Sequence, residues 1–479
     1  MKTRTEGYIT IYLSMILSVI IMFLLTLFYG LRVQTIRFRT ECAMDMSMNG
    51  IFAEYNREML KQYDLFFIDT AYGTGITTEE LTENHLLDYM NTNFDTGASI
   101  PLKMDLTALR ATSADISNAS YATDGQGVVF RYQIDRLMKT KYGLGLVKRD
   151  DYSSYDVDQL IRSGLDYEDQ KDKCEEEVNG LLEEINENRT DEEGDIVIDN
   201  PAEGVGRISE SNILAYALKD IGSISNIAIN NSNYVSERKY SDGAGLRTDQ
   251  ESPDNLVSRM FFEKYIFEKC GHFGKEKEGS LLGYQVEYLL AGKESDTDNL
   301  ETVARNIFLM RYGINMVCLF NCPEKRNEAQ TIAAVAALIC ECPDLEKPLT
   351  QLILLAWGYA ESANDLRLIF DGDGVPMAKS DDSWNMSLLD LIGLRWHLGK
   401  NVSGATGPKY NEYLYMMVAV RNKDVLTKRL MNICEMDVRK AEGSSSFRMD
   451  RLLYQGDIEV NVRSGYGYHC SIRRFYSYE

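Results

Sequence analysis

Residues 8–29 read YITIYLSMILSVIIMFLLTLFY, and this stretch decides the architecture because it carries no charged residue. As a helix, its 22 residues would cover roughly 30 Å at about 1.5 Å per residue, the thickness of a bilayer's hydrocarbon core. Tyr8, Tyr12 and Tyr29 stand near its ends, where interfacial aromatic residues are common. The run closes at residues 27–32 as LFYGLR, which lacks the small residues of a signal-peptide cleavage site. It therefore predicts a retained transmembrane helix rather than a cleaved signal or a buried core helix.

The helical pattern continues beyond the apolar run. Apolar residues recur at steps of mostly three or four, at Ile36, Met44, Met48, Ile51, Tyr55 and Met59. The first proline is Pro101, so the strongest helix breaker is absent from this region. We expect one helix over residues 8–62, whose outer half is an amphipathic stalk packed on the globular part. The basic residues on the two sides of the span nearly balance, so the positive-inside rule does not decide its orientation.

The composition excludes two broad classes of protein. The chain has 479 residues, a formal net charge of −22, 44% hydrophobic residues and 10% aromatic residues. This hydrophobic content is typical of folded proteins and excludes wholesale disorder. An acidic chain is a poor partner for phosphate backbones, so we expect no nucleic-acid binding.

We divide the chain into four parts. Residues 1–62 form the transmembrane anchor and stalk helix, residues 63–200 a mixed α/β region with an acidic helix and loop, residues 201–440 a helical core, and residues 441–479 a C-terminal β-hairpin packing on the body. Asn200-Pro201 marks one boundary. The predicted fold class is α+β, mainly helical, with a single N-terminal transmembrane helix, a helical-bundle core and short strands at both ends of the soluble domain.

Hydrophobic periodicity places the individual elements. Strands are predicted at residues 63–69, 458–463 and 466–478, the last two joined near Ser464-Gly465. Helices are predicted at residues 81–92, 128–138, 156–163, 260–269, 281–290, 299–319, 328–340, 349–370, 388–398 and 409–420. Five prolines fall between the later helices, as helix ends require. Residues 166–195 hold fourteen acidic and three basic residues and predict an exposed helix followed by an acidic loop.

The nine cysteines leave three alternatives open. Four of them are close in sequence, Cys318, Cys322, Cys340 and Cys342, but their spacings depart from the usual two-residue gap of zinc sites. Disulfides are conceivable outside the cytoplasm, and an odd total leaves at least one free thiol. Buried free cysteine is the commonest state for such residues.

The remaining candidate chemistry is sparse. Asp371-Gly372-Asp373-Gly374 follows a predicted helix and favours a helix-terminating turn over a calcium loop, because further acidic ligands are missing. His397 lies beside Trp396 on an apolar helix, where a core histidine is commoner than a catalyst. The sequence thus assigns no catalytic, cofactor-binding or metal-ligating residue, and no cofactor.

Several short sequence segments, called phrases below, resemble those of a known family. They are GYITIYLS from Gly7, ECAMD from Glu41, FAEYNREMLKQYDLFFID from Phe52, EYLLAGKESD from Glu287 and ILLAWGYAES from Ile353, with Asn200-Pro201 and VSER from Val235. Together they resemble a family of uncharacterised, membrane-anchored proteins of Gram-positive bacteria. The resemblance implies an association with tight-adherence (Tad/Flp-type) pilus assembly and no established activity.

The N-terminus also resembles TadE-like pseudopilins. These begin with a pattern similar to Gly-x-Ile-Thr-Val-Glu, whereas this chain has Gly7-Tyr-Ile-Thr-Ile-Tyr12. The intramembrane glutamate, which would pair with a neighbouring subunit's amino terminus, is replaced by Tyr12. An unpaired carboxylate in lipid is costly, so such a residue would signal assembly. The opening is therefore pseudopilin-like in form but lacks this assembly chemistry.

We expect a non-enzymatic, extracytoplasmic accessory or minor pilin-like component of a Tad/Flp-type pilus or related secretion apparatus. It would be a single-pass protein of the cell membrane. Its expected partners are the lipid bilayer and other membrane proteins of the apparatus. One alternative is a membrane-tethered enzyme whose site is assembled from Asp371, Asp373 and His397. The other is a surface binding module that uses the acidic residues 166–195.

Overall fold

Helices and one antiparallel sheet make up the described structure. The computed structural model describes residues 6–75, 78–95, 107–143, 155–187, 213–380, 383–388 and 407–478. The predicted α+β, mainly helical class is confirmed.

The chain divides into two compact units. The sheet unit comprises Met1–Lys141, Glu237–Asn255 and Cys434–Glu479, and the helical unit comprises Tyr142–Ser236 and Leu256–Ile433. The four-part division drawn from the sequence stays a prediction.

The first helix, α1, is Glu6–Phe52 and is shorter than predicted. A second helix, α2 (Arg57–Tyr63), begins where the predicted stalk would have continued. The break is fixed by Asn56, whose Oδ1 accepts a 2.9 Å hydrogen bond from the Met59 amide and whose own amide donates to the Phe67 carbonyl. Asparagine is a preferred N-cap because its side chain satisfies an amide of the first helical turn.

The sheet has four antiparallel strands: β1 (Ile68–Asp69), β2 (Leu109–Tyr121), β3 (Leu452–Ser464) and β4 (His469–Ser477). Strand β3 pairs with the other three. Strand β2 pairs along its length, from Leu109 opposite Ser464 to Tyr121 opposite Leu453. The predicted C-terminal hairpin is confirmed as β3 and β4, and the predicted strand at residues 63–69 is reduced to β1. Strand β2 was not predicted.

Helices α1 and α3 (Glu80–Phe94) cover one face of this sheet. The predicted apolar face of the stalk is confirmed at Ile36, Met44, Met48 and Ile51, which are all buried. Their partners in this core include Leu86, Met90 and Phe94 of α3 and Leu109, Ala111, Ile458, Val460 and Val462 of the sheet. Helix α4 (Asp124–Tyr142) follows β2 through a first turn in which residues 125–127 have positive φ.

The helical unit contains the remaining helices. They are α5 (Val157–Glu187), α6 (Ile213–Ala217), α7 (Leu256–Lys269), α8 (Gln285–Ala291), α9 (Asp296–Asn321), α10 (Pro323–Ile339), α11 (Glu346–Phe370), α12 (Tyr410–Val420) and α13 (Lys423–Arg439), whose last residues belong to the sheet unit. The predicted helices here are confirmed with shifted ends, except that residues 389–398 of one prediction lie outside the described residues. Helix α5 joins the helix predicted at residues 156–163 with the helix predicted in the acidic stretch, which is thereby confirmed. The acidic loop predicted after it also lies outside the described residues.

Candidate functional site

The first half of α1 is the most unusual surface of the molecule. Residues 8–31 are exposed on every side of the helix although nearly all are apolar. Within the described part of the chain, α1 alone is long and apolar enough to cross a membrane. Because no described residue outside α1 covers this half of the helix, the core-helix interpretation does not apply to it.

The second half of α1 enters the core of the sheet unit without an intervening linker. Where the residues of α1 change from exposed to buried, the guanidinium of Arg32 lies 3.1 Å from the ring centroid of Tyr466. The Arg37 Nε donates a 3.1 Å hydrogen bond to the Tyr468 hydroxyl. Both tyrosines belong to the turn between β3 and β4, so this turn lies beside the end of the exposed apolar segment.

Three donors hold the carboxylate of Glu54 just after the end of α1. Tyr72 and Tyr89 donate from their hydroxyls over 2.7 and 2.9 Å, and His85 Nδ1 lies 3.0 Å away. Burial raises the pKa of Glu54, but the contacts with His85, Tyr72 and Tyr89 outweigh this and hold the pKa below its usual value. An ionised Glu54 thus ties the end of α1 to α3 and to the segment after β1.

A buried ionic network lies in the helical unit. Arg311 of α9 contacts Asp365 of α11 over 2.9 Å, and the Lys379 ammonium contacts both Asp365 and Glu361. The four side chains are 0 to 1% exposed. Burial raises the pKa of Asp365, but the charges of Lys379 and Arg311 outweigh it and hold the pKa below its usual value; for Glu361 burial prevails and the pKa is raised. With this degree of burial, the network holds the segment after α11 in place and is closed to a substrate.

A second buried carboxylate is less well compensated. Oε1 of Glu287, on α8, accepts hydrogen bonds from the Tyr410 hydroxyl (2.7 Å) and the Phe273 amide (2.9 Å). Oε2 has no hydrogen-bond partner among the described residues. Burial raises the pKa of Glu287 to about 7. Glu287 lies in one of the phrases that carry the family resemblance, but nothing in its local sequence indicates that it is buried.

Of the three residues in the alternative enzyme hypothesis, the structure describes Asp371 and Asp373. Asp371 follows α11 and forms an ion pair with Lys219 over 2.9 Å. Gly372 has φ +92°, and the amides of residues 371–373 donate back to carbonyls of the last helical turn. The predicted helix-terminating turn is therefore confirmed. His397 lies outside the described residues, so its proximity to Asp371 and Asp373 stays a prediction.

The cysteines can be described in full because all nine lie in the described ranges. None of them forms a disulfide in this structure, and Cys174, Cys270, Cys340 and Cys434 are buried. Among the described residues, no three His, Cys, Asp or Glu side chains come together as a metal ion would require. The four cysteines close in sequence thus form neither a disulfide nor a thiolate cluster here.

Comparison with known proteins gives one match. Residues 191–464 match a family described as a family of unknown function, DUF5702. No curated protein and no solved structure matches the chain. The matched range covers more than half of the 479 residues and includes the buried ionic network, the Glu287 carboxylate and the whole of β3. The chain therefore belongs to the DUF5702 family of unknown function.

Proposed function

We propose that the protein is a single-pass, non-enzymatic component of the cell membrane whose body is extracytoplasmic. We further propose that it acts as an accessory or minor pilin-like component of a Tad/Flp-type pilus or related secretion apparatus. One observation carries the proposal: the same helix that offers residues 8–31 to lipid also supplies Ile36, Met44, Met48 and Ile51 to the core of the sheet unit.

The physical argument concerns how an anchored body is held. A body joined to its anchor by a flexible linker takes many orientations, as linker statistics require. Here the anchor helix continues into a core that would have to unfold before the helix could pivot. Such a connection fixes the sheet unit relative to the membrane, which serves a protein that positions partners more than one that only needs to stay near a surface.

The resemblance to pseudopilins supplies the finer part of the proposal. Tyr12 stands where a pseudopilin carries its intramembrane glutamate, so the helix lacks the charge that pairs with a neighbouring subunit. An accessory position beside other membrane proteins of the apparatus fits this difference better than a repeating position in a filament. The proposed partners are thus the bilayer and those membrane proteins, with no nucleic acid.

The first experiment locates the body. Intact cells freed of cell wall are treated with protease while a C-terminal epitope tag is followed, with lysed cells as control. Loss of the tag from intact cells is the expected result. Protection of the tag until lysis would place the body in the cytoplasm and end the proposal.

The second experiment tests the rigid connection. A ten-residue Gly/Ser insertion after Gln34 keeps both span and body but lets them move independently. An equal insertion after the exposed Gly279, which has φ +82° and no neighbour within 4 Å of its Cβ position, is the matched control. We expect pilus assembly or secretion in a deletion strain to be restored by the control but not by the insertion after Gln34. Normal assembly in the uncomplemented deletion strain would refute the role in the apparatus.

A further inference from the structure

A cavity of about 720 Å³ opens in the sheet unit. Arg448, Asp450 and Arg451 line it from the segment that leads into β3, and Asn118 and Tyr121 line it from the end of β2. Its volume lies within the range that small-molecule sites occupy in proteins. The cavity is formed entirely by residues of one unit, so it does not depend on how the two units are arranged.

Arg451 is a buried residue whose guanidinium has two nitrogens without a hydrogen-bond partner among the described residues. The residue is 7% exposed, and its Nε and Nη1 have no hydrogen-bond partner. The charge of Asp69 acts on this guanidinium from a distance. No carboxylate of the described residues lies within ion-pair distance of Arg451. Burial and the neighbouring Arg448 lower the pKa of Arg451, whereas the charges of Asp450 and Asp69 act in the opposite direction without reversing this shift. A buried charge that is only partly compensated is costly, and such groups are found paired in most proteins.

Two of the nearby acidic groups, Asp450 and Glu435, are already engaged by other arginines. Asp450 accepts hydrogen bonds from Arg448 over 2.6 and 3.1 Å and a further one from Arg238. Glu435 accepts from Arg238 over 2.8 and 3.1 Å and also from Arg439. This arginine cluster thus has four guanidinium groups and two hydrogen-bonded carboxylates, so Arg451 is the member left over.

The wall of the cavity beside β2 is preformed, because hydrogen bonds hold it in place without a ligand. The carboxylate of Asp124 accepts hydrogen bonds from the amides of Gly243 (2.8 Å), Gly245 (3.0 Å) and Tyr121 (3.0 Å). A side chain at residue 243 would collide with the Ala119 carbonyl, its Cβ lying 2.3 Å from that oxygen. The close approach therefore requires glycine, and the hydrogen bonds to Asp124 hold residues 241–244 where they border the cavity. A preformed site binds its ligand without the cost of ordering a loop.

The cavity lies at the end of the sheet away from the apolar segment of α1. The turn containing Tyr466, at the far end of β3, contacts Arg32, whereas the cavity borders the beginning of β3. Ile116, which also lines the cavity, pairs with Ile458, six residues before the end of β3, so the cavity begins roughly 20 Å from this turn at about 3.3 Å per residue. This separation favours a soluble ligand over a lipid headgroup.

We propose that the cavity beside Arg451 binds the carboxylate or phosphate group of a small soluble ligand, whose negative charge compensates the buried guanidinium. Charge-assisted hydrogen bonds to carboxylate and phosphate are the contacts that arginine makes best. Glu79 and Asp242 also line the cavity and offer acceptors to an amino or hydroxyl group elsewhere on the same ligand. The assignment is independent of any role in a pilus.

The test uses the full chain in nanodiscs of phosphatidylcholine and isothermal titration with defined probes. The probes are inorganic phosphate, succinate and succinamide, the last being a neutral analogue of succinate. Short-chain phosphatidylglycerol is a fourth probe that represents a lipid source of phosphate. We expect saturable binding of phosphate or succinate, and at least tenfold weaker binding of succinamide and of the lipid. Binding of the lipid alone, equal binding of succinate and succinamide, or no saturable binding would each overturn the proposal.

Arg451→Gln identifies the group responsible, and Arg473→Gln, on the exposed strand β4 of the same unit, is the matched control. We expect Arg451→Gln to weaken binding of the anion at least tenfold while the thermal midpoint without ligand stays equal or rises, because a buried charge that is only partly compensated is removed. Arg473→Gln should bind as the native chain does. Unchanged affinity in Arg451→Gln would refute the site. If that variant does not fold, the comparison of succinate with succinamide on the native chain still decides whether the protein binds the negatively charged group.

Discussion

The hydroxyl of Tyr410 donates a 2.7 Å hydrogen bond to Oε1 of Glu287, and both side chains are buried in the helical unit. The second oxygen, Oε2, has no partner among the described residues. The site therefore suits a protonated carboxyl group better than a carboxylate, and burial raises the pKa of Glu287 to about 7. This pair makes the stability of the helical unit depend on pH near neutrality.

The first prediction follows from the sign of this shift. The folded state holds a proton on Glu287 up to pH about 7, whereas the unfolded chain releases it near 4.5. The stabilisation is complete below pH 4.5, is lost as the pH rises through 7, and amounts to roughly 3 kcal/mol. Glu287→Gln should flatten this dependence and raise the thermal midpoint of the detergent-solubilised chain at pH 8 but not at pH 5. Exposed Glu278→Gln is the control, and an unchanged pH profile in Glu287→Gln would count against the prediction.

The second prediction concerns the buried network. Lys379→Met leaves Glu361 and Asp365 with Arg311 as their sole cation in this network. Removing one partner of a buried ion pair costs about 3–5 kcal/mol, because a buried charge stays uncompensated. Chemical denaturation should show a loss of this size, whereas exposed Lys347→Met should change stability by less than about 0.5 kcal/mol.

A second substitution distinguishes whether Lys379→Met lowers stability through the lost charge or through lost packing. Adding Glu361→Gln to Lys379→Met removes one of the two carboxylates and should restore part of the lost stability, as coupled neighbours do. If the double variant were no more stable than Lys379→Met, loss of packing rather than charge would explain the effect.

Local patterns were enough to predict the helices but not this network. The charged residues that follow an apolar run in α11 were visible in the sequence. Their partners were not, because Arg311 lies 54 residues before Asp365, and Lys379 lies beyond the end of the helix. Helical periodicity reports which face of an element is buried, whereas the identity of a buried ion pair depends on how distant elements meet.

Strand β2 was missed for a related reason. Its pairing with β3 shifts register near Ala111 and again near Ser117 and Ser120, so its buried and exposed residues do not alternate regularly. Its partner is also remote, since Ser117 bonds to Asp457, 340 residues later. The same limitation hid the Arg451 cavity, whose walls come from at least four separate stretches of the chain.

The third prediction tests the close approach of α5 and α9. A Cβ at Gly164 would lie 2.2 Å from the Leu309 carbonyl oxygen, and a Cβ at Gly313 would lie 2.7 Å from that of Leu160. Gly164→Ala must therefore push two backbones apart, and should cost about 1–3 kcal/mol in chemical denaturation. Gly180→Ala lies on the same helix with nothing within 4 Å, and should stabilise by about 0.5–1 kcal/mol. Equal effects of the two substitutions would contradict this packing.

The last prediction addresses the exposed half of α1. Val19 and Met22 lie near the middle of the apolar segment and are 65 and 69% exposed, so the described part of the protein leaves them uncovered. An arginine at the centre of a transmembrane helix costs about 2.5–3.5 kcal/mol, so Val19→Arg with Met22→Arg opposes insertion by roughly twice that amount. The double variant should be released from membranes by alkaline extraction, whereas the native chain should resist it. Phe38→Arg with Met46→Arg, at exposed positions of α1 beyond the apolar segment, adds the same charge and should leave the protein in the membrane. Equal resistance of the two double variants would mean that residues 8–29 are not what holds the chain in lipid.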